Sequence, residues 1–131
     1  ANGRAASAYE TSIYLADCLA RSGRPQAGLD VLAQPTGGDA DEIAIFEAAS
    51  SLVSAAALLE LGRVDDAIET ICRGVRAARE RSLTFDLARL LLLADRVGPP
   101  FDRRLGTTEP AGEASRLFQQ LGVIHTVEAG I

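Results

Sequence analysis

The side chains that could carry chemistry are few in this sequence. The only histidine is His125, near the carboxyl end, and the two cysteines, Cys18 and Cys72, lie far apart rather than in a Cys-x-x-Cys pair. These residues make no zinc ligand set, and a nucleophilic triad would have to use the same single histidine. Because the chain contains no Lys, a phosphate-binding loop of the G-x-x-x-x-G-K type is impossible. We therefore expect no catalytic residue, metal or cofactor, and a protein that is not an enzyme.

Two charged pairs have structural as well as functional interpretations. Asp65 and Asp66 could form a carboxylate pair, but neighbouring side chains on a helix point about 100° apart. Their position at the start of a helical segment favours stabilisation of the helix dipole. Arg103 and Arg104 could clamp a phosphate or carboxylate, or could belong to a solvated loop.

Composition bounds the class of protein. The chain has 131 residues, which fits one domain, with 47% apolar and 5% aromatic residues, so its core must consist of Ala, Leu, Ile and Val. A net charge of −5 argues against a general nucleic-acid binder. The sequence contains no uninterrupted apolar run that is long enough to span a membrane. The wide separation of Cys18 and Cys72 predicts two buried free thiols, which favours a cytoplasmic protein. All 13 basic residues are Arg, a bias that resembles GC-rich bacterial genomes, and the absence of Met suggests a fragment of a longer protein.

Six segments have apolar residues at a period near 3.6, which predicts six helices and no sizeable sheet. An Asp39-x-x-Glu42 capping pattern opens the third segment, and Thr108 is a plausible cap for the sixth. Pro25 and Pro110 fall in first turns. The predicted segments are about 4–22, 25–34, 40–61, 64–81, 83–97 and 108–121, followed by a tail at 122–131 that would be either extended or frayed.

An internal repeat relates the first two pairs of segments. When Gly23 is aligned with Gly62, Ala16 falls on Ala55 and Gly28 on Ala67. Two antiparallel helices approach most closely where both carry small side chains, so we expect close crossings of Ala16 with Gly28 and of Ala55 with Ala67. The glycine between them supplies a left-handed turn residue.

The stretches Leu58-x-x-Leu61-Gly62-Arg63-Val64-Asp65-Asp66-Ala67-Ile68 and Leu19-Ala-Arg-Ser-Gly23-Arg-Pro-Gln-Ala-Gly28-Leu29 resemble the tetratricopeptide repeat (TPR). The resemblance implies an all-α fold of about three antiparallel helix pairs, at 4–34, 40–81 and 83–121, stacked as a right-handed α-solenoid. The third pair is degenerate, with Ala88 as its small residue. The ending Ala114-Ser-Arg-Leu117-Phe118-Gln-Gln-Leu121-Gly122-Val123 resembles the close of helical arrays in bacterial ATPase-containing transcriptional regulators of the LuxR type or in multidomain nucleotide cyclases. This implies a regulatory parent protein.

In such a stack the first helix of each pair lines the concave face. The residues expected there are Ile13, Asp17, Arg21, Leu52, Ala56, Glu60 and Arg89. Alternatively, Leu52 and Ala56 pack on the next helix. The expected function is a non-catalytic interaction or regulatory scaffold that binds a protein, a peptide or neighbouring domains. The alternatives are a small-ligand-sensing domain with an apolar pocket between the third and fifth helices, and a helical enzyme fragment. The amino-terminal helix pair, with Tyr14 and Leu15 on its outer side, could also form a homodimer.

Overall fold

The computed structural model describes residues 8–35 and 39–122. These residues form six α-helices, one short 3-10 turn and no strand, which confirms the all-α prediction. The helices are α1 (Ala8–Arg21), α2 (Pro25–Ala33), α3 (Ala40–Glu60), α4 (Val64–Glu80), α5 (Thr84–Val97) and α6 (Pro110–Gln120), and the 3-10 turn is Arg103–Leu105. The predicted start of the first helix at residue 4 and the tail at 123–131, with His125, lie outside the described residues.

Three helix-to-helix turns share one geometry. Gly23 and Gly62, which the repeat aligns, have φ values of +83° and +75°. The N–H of the residue after each glycine donates to the carbonyl of the residue five positions earlier in the chain, at 2.8 Å from Arg24 to Leu19 and 2.9 Å from Arg63 to Leu58. This is the arrangement that ends a helix with a left-handed residue. Ser82, with φ +56°, makes the same turn between α4 and α5, although the sequence shows no glycine there.

The helix starts follow the local sequence, with one exception. The Asp39 carboxylate accepts a hydrogen bond of 2.8 Å from the N–H of Glu42, as the capping pattern predicts. The prediction of Thr108 as a cap is wrong, because Glu109 precedes the first helical residue and its side chain makes no capping bond. Pro110 takes the first position, where its fixed φ suits the helix and its missing N–H costs nothing, so the helix starts one residue later than expected.

Small residues set the close helix crossings. A Cβ on Gly28 would lie 2.7 Å from the carbonyl oxygen of Ala16, so α1 and α2 touch through their backbones at the predicted pair. Ala55 and Ala67, the matching residues of the second pair, are both fully buried. A Cβ on Gly74 would likewise lie 2.7 Å from the Cβ of Ser51. Close approach therefore requires glycine at positions 28 and 74, and small side chains at Ala55 and Ala67.

The core centres on α3, α4 and α5. Helix α3 packs against α1, α2, α4 and α5. Tyr9 and Phe46, near the starts of α1 and α3, meet edge to face with ring centroids 6.2 Å apart. Helix α5 contributes the fully buried Leu90 and Leu91.

By length and composition alone, α3 could cross a membrane, since it has 21 residues and contains an 18-residue stretch with a mean hydropathy of 1.6. Four other helices pack against it. It also begins with two acidic residues in its first turn, Asp41 and Glu42. A central helix of a helical core has the same composition.

Arg79 attaches the last helix to the rest of the core. Its guanidinium makes two hydrogen bonds to the Glu113 carboxylate, at 2.8 and 2.9 Å, and a third to the carbonyl of Leu105. Phe85 and Phe118 add an edge-to-face contact between α5 and α6.

The two cysteines differ from the expectation that both are buried. Both are free thiols, Cys72 is buried and Cys18 is exposed. Cys18 lies one turn after Leu15, which is 49% exposed, on a face of α1 that no other described helix covers. The prediction of a buried thiol at Cys18 is therefore wrong, because nothing described packs on that side of α1.

Candidate binding groove

A groove of about 560 Å³ lies across α1, α3 and α5. All seven residues proposed from the repeat pattern line it. The lining residues are Ile13, Tyr14, Asp17, Ala20, Arg21, Ala49, Leu52, Val53, Ala56, Glu60, Asp86, Arg89, Leu92, Leu93 and Arg96. We refer to this feature as the groove.

Helical spacing explains why these side chains converge. Ile13, Asp17 and Arg21 are four residues apart and lie on one stripe of α1. The residues of α3 and α5 follow the same spacing of three and four. Helix α3 packs on both α1 and α5, so the three stripes lie side by side.

The floor of the groove is apolar and belongs partly to the core. Ile13, Leu52 and Leu93 are less than one-tenth exposed. The alternative interpretation of Leu52 is therefore also correct, since it packs in the core cluster while one edge faces the groove. The small side chains of Ala49 and Ala56 leave the space above this floor.

Charged side chains of both signs surround the floor. The lining contains three acidic residues, Asp17, Glu60 and Asp86, and three arginines, Arg21, Arg89 and Arg96, so its formal charges balance. The chain as a whole carries −5. The groove is therefore less acidic than the average surface of this protein.

Four of these charged side chains already interact with other groups of the protein. Arg21 Nε donates to the Asp17 carboxylate at 2.9 Å, one turn away on α1. Burial raises the pKa of the Asp86 carboxyl, and the positive charge of Arg89 opposes this shift. The Arg89 guanidinium lies 5.5 Å from the centre of the Phe85 ring, a cation–π contact that orients it.

Two charged side chains in the groove have no partner among the described residues. Glu60 and Arg96 make no ion pair or hydrogen bond through their side chains with any other described residue. Both lie in the last turn of their helices, α3 and α5, so they mark the carboxyl-terminal end of the groove. A bound molecule could pair with them without breaking an existing contact.

The sequence pattern missed part of the groove. Tyr14, 63% exposed, was assigned to an outer end face, yet it lines the groove beside Ile13. Asp86 and Arg96 were missed because the third pair has no clear repeat register. Their spacing of three and seven residues from Arg89 would have identified both as members of one stripe.

The other candidate residues have separate positions. Asp66 pairs with Arg63 in the first turn of α4, as expected for a residue at the positive end of the helix dipole. Arg104 pairs with Glu69 and Asp102, whereas the side chain of Arg103 makes no ion pair or hydrogen bond with any described residue. Within residues 8–35 and 39–122, no group of three or more His, Cys, Asp or Glu side chains is placed to hold a metal ion.

The groove is thus an open, apolar-floored surface with charges of both signs at its edges. Comparisons of this chain with models of known protein families, with curated proteins and with solved structures found no match.

Proposed function

We propose that this chain is a non-catalytic interaction module of the TPR type, which binds a peptide or a neighbouring domain in the groove. One observation carries the proposal. Seven residues chosen from the repeat pattern alone line a single groove on α1, α3 and α5. In helical repeat proteins, the first helix of each pair forms the binding surface.

The geometry of the helix pairs supports a stack of TPR-like units. The turns at Gly23 and Gly62 have the same backbone conformation, and the Ala16–Gly28 crossing occurs where the repeat predicts it. Helix α3 also packs on both α1 and α5, as the first helices of successive pairs do in a solenoid. The second unit departs from the family in length, since α3 alone has 21 residues and a whole repeat has about 34.

The ligand that suits the groove is a peptide segment with apolar and charged side chains together. Its apolar side chains would cover the floor at Leu52 and Ala56, and its charged side chains would meet Glu60 and Arg96. Desolvating the apolar floor supplies affinity, while the charges at the edge set orientation. A nucleic acid does not suit this surface, because its lining carries no net positive charge.

The parent protein that we propose is a cytoplasmic bacterial regulator of transcription or signalling. The support is the sequence resemblance to the helical arrays of LuxR-type regulators and multidomain cyclases. In such a protein the groove would hold a neighbouring domain or a protein partner.

The amino-terminal helix pair is a second contact surface in this proposal. Leu15 and Cys18 are exposed on the outer side of α1. A preceding repeat would cover them in a longer array, and a second copy would cover them in the isolated chain. This surface is distinct from the groove, which Leu15 and Cys18 do not line.

A peptide-display selection against the wild-type chain tests the groove. Selected peptides should combine apolar and charged residues and should bind with saturable affinity. The variant Ala56→Arg, which places a long side chain on the groove floor, should abolish their binding. Ala111→Arg is the matched control, because Ala111 is also half-buried on a helix but lies outside the groove.

Circular dichroism must first show that both variants are folded. Equal loss of binding in the two variants would indicate a general effect of the added charge and would contradict the proposal. Peptides that bind Ala56→Arg as well as wild type would place the binding surface elsewhere.

A further inference from the structure

A second cavity, of about 680 Å³, lies between α4, α5 and the loop that follows α5. It shares no lining residue with the groove. Its wall is mainly apolar and consists chiefly of Ile68, Ile71, Ala94, Val97, Phe101 and Leu105. Its volume falls within the range of about 300–1,000 Å³ that is typical of small-molecule sites. The sequence placed an apolar pocket between the third and fifth helices, but this cavity lies against α4 because residues 98–105 arch over it.

The thiol of Cys72 is part of this apolar wall. Cys72 is 3% exposed, and burial, together with the nearby carboxylate of Asp102, raises its pKa. The thiol is therefore neutral near pH 7 and contributes a small apolar surface rather than a nucleophile.

Three charged side chains line the cavity, and two of them are mutually engaged. Arg104 Nη2 donates to the Asp102 carboxylate at 2.8 Å, and Arg104 also pairs with Glu69 of α4. The hydrogen bonds from Arg104 hold the pKa of the Asp102 carboxyl well below its usual range. The pair between Arg104 and Glu69 fixes the loop against α4, so it shapes the mouth of the cavity.

Arg103 is the remaining charged group of the lining. It makes no ion pair or side-chain hydrogen bond with any described residue. The cavity thus combines an apolar wall with one uncommitted positive charge. This combination complements a ligand with an apolar body and one negative group.

We propose that this cavity binds a small apolar molecule with a single carboxylate, whose apolar part lies against Ile68, Val97 and Phe101 and whose carboxylate pairs with Arg103. A cationic amphiphile is disfavoured, because its charge would meet Arg103. A polyanion such as a nucleotide is disfavoured, because one uncommitted arginine cannot balance its charges. The proposal is independent of the groove and of the peptide that we propose for it.

Isothermal titration calorimetry with three matched probes tests the ligand class. Decanoate, decanol and decylammonium share one alkyl chain and differ in head-group charge. We expect saturable one-to-one binding of decanoate below its micellar concentration. Decanol should bind about fivefold more weakly, the size of one partly exposed charge pair, and decylammonium more weakly still.

Two variants assign the binding to this cavity. Val97→Phe should weaken all three probes, because it fills the half-buried wall. Arg103→Gln, on the exposed loop, should leave decanol binding unchanged and should remove the preference for decanoate. Arg89→Gln removes an arginine from the groove instead and should change nothing.

Three results would overturn the proposal. They are a lack of saturable decanoate binding, binding of decylammonium as tight as that of decanoate, and an unchanged preference for decanoate over decanol in Arg103→Gln. Should Val97→Phe fail to fold, the Arg103→Gln comparison decides alone, since that side chain is exposed and has no partner to lose.

Discussion

Replacing Gly28 by alanine tests the close crossing of α1 and α2. In an unobstructed helix interior this change stabilises a protein by about 1 kcal/mol, because alanine restricts the unfolded chain and favours helix. Here the new Cβ would lie 2.7 Å from the carbonyl oxygen of Ala16, whereas ordinary contact begins at 3.4 Å. The obstructing atom belongs to the backbone, so the two helices must move apart by about 0.7 Å, the difference between these distances.

Overpacking a tight core costs about 1–3 kcal/mol, and a backbone obstruction belongs in the upper half of that range. Subtracting the gain in helix propensity leaves a net loss of about 1–2 kcal/mol for Gly28→Ala. In a domain of this size, that loss lowers the melting temperature by about 4–8 °C. Thermal unfolding followed by far-ultraviolet circular dichroism measures it.

Gly112→Ala is the matched control. Gly112 also lies in a helix, but the nearest atoms to its added Cβ would be 3.6 and 3.7 Å away, at ordinary contact distance. This variant should gain about 0.4–1 kcal/mol, because only the propensity effect operates. If Gly28→Ala is as stable as wild type, or if both variants change stability in the same direction, the close crossing is refuted.

Three further predictions concern packing, pH and assembly. Ala55→Leu and Ala67→Leu should each cost about 1–3 kcal/mol in urea unfolding, since both sites are fully buried, and unchanged midpoints would contradict the repeat register. Arg79 lowers the pKa of Glu113 below its ordinary value of 4.5, so the stability from this pair is complete above pH 4.5 and is lost as the pH falls through the folded-state pKa. In urea unfolding at several pH values, the free energy of unfolding should fall less steeply towards acid pH in Glu113→Gln than in wild type. An equal fall in the two proteins would exclude this pair as the cause. Light scattering at micromolar concentration should detect self-association of the wild-type chain and a shift towards monomer in Leu15→Glu, whereas a wild type that is already monomeric would contradict assembly through α1.

The helices and most of their ends could be predicted because their causes are local. Apolar spacing near 3.6, the Asp39 cap, the prolines at first positions and the glycines after α1 and α3 act within a few residues. The turn at Ser82 shows the limit of this reasoning. No local signal required a left-handed serine there, and the packing of α4 against α5 holds it in place.

Part of the groove could be predicted for a related reason. The repeat fixes which stripe of α1 and α3 carries small and apolar residues, and a helix places residues of one stripe on one side. Asp86 and Arg96 escaped prediction because the third pair has lost the repeat spacing. The position of Tyr14 in the groove was not predicted, because the direction of its side chain depends on how α1 packs against α3.

Sequence alone therefore determined the elements of this protein and the faces that they present. Tertiary structure decided which of those faces meet. Cys18 and Cys72 both lie in helical patterns in the sequence, yet Cys18 is exposed and Cys72 is buried. The reason is that other helices pack on the face of α4 that carries Cys72, whereas no described helix covers the face of α1 that carries Cys18. Arg79 and Glu113 are 34 residues apart, and no periodic pattern connects them. Contacts between distant residues depend on the path of the whole chain, and that path follows from the joint packing of all six helices rather than from any single segment.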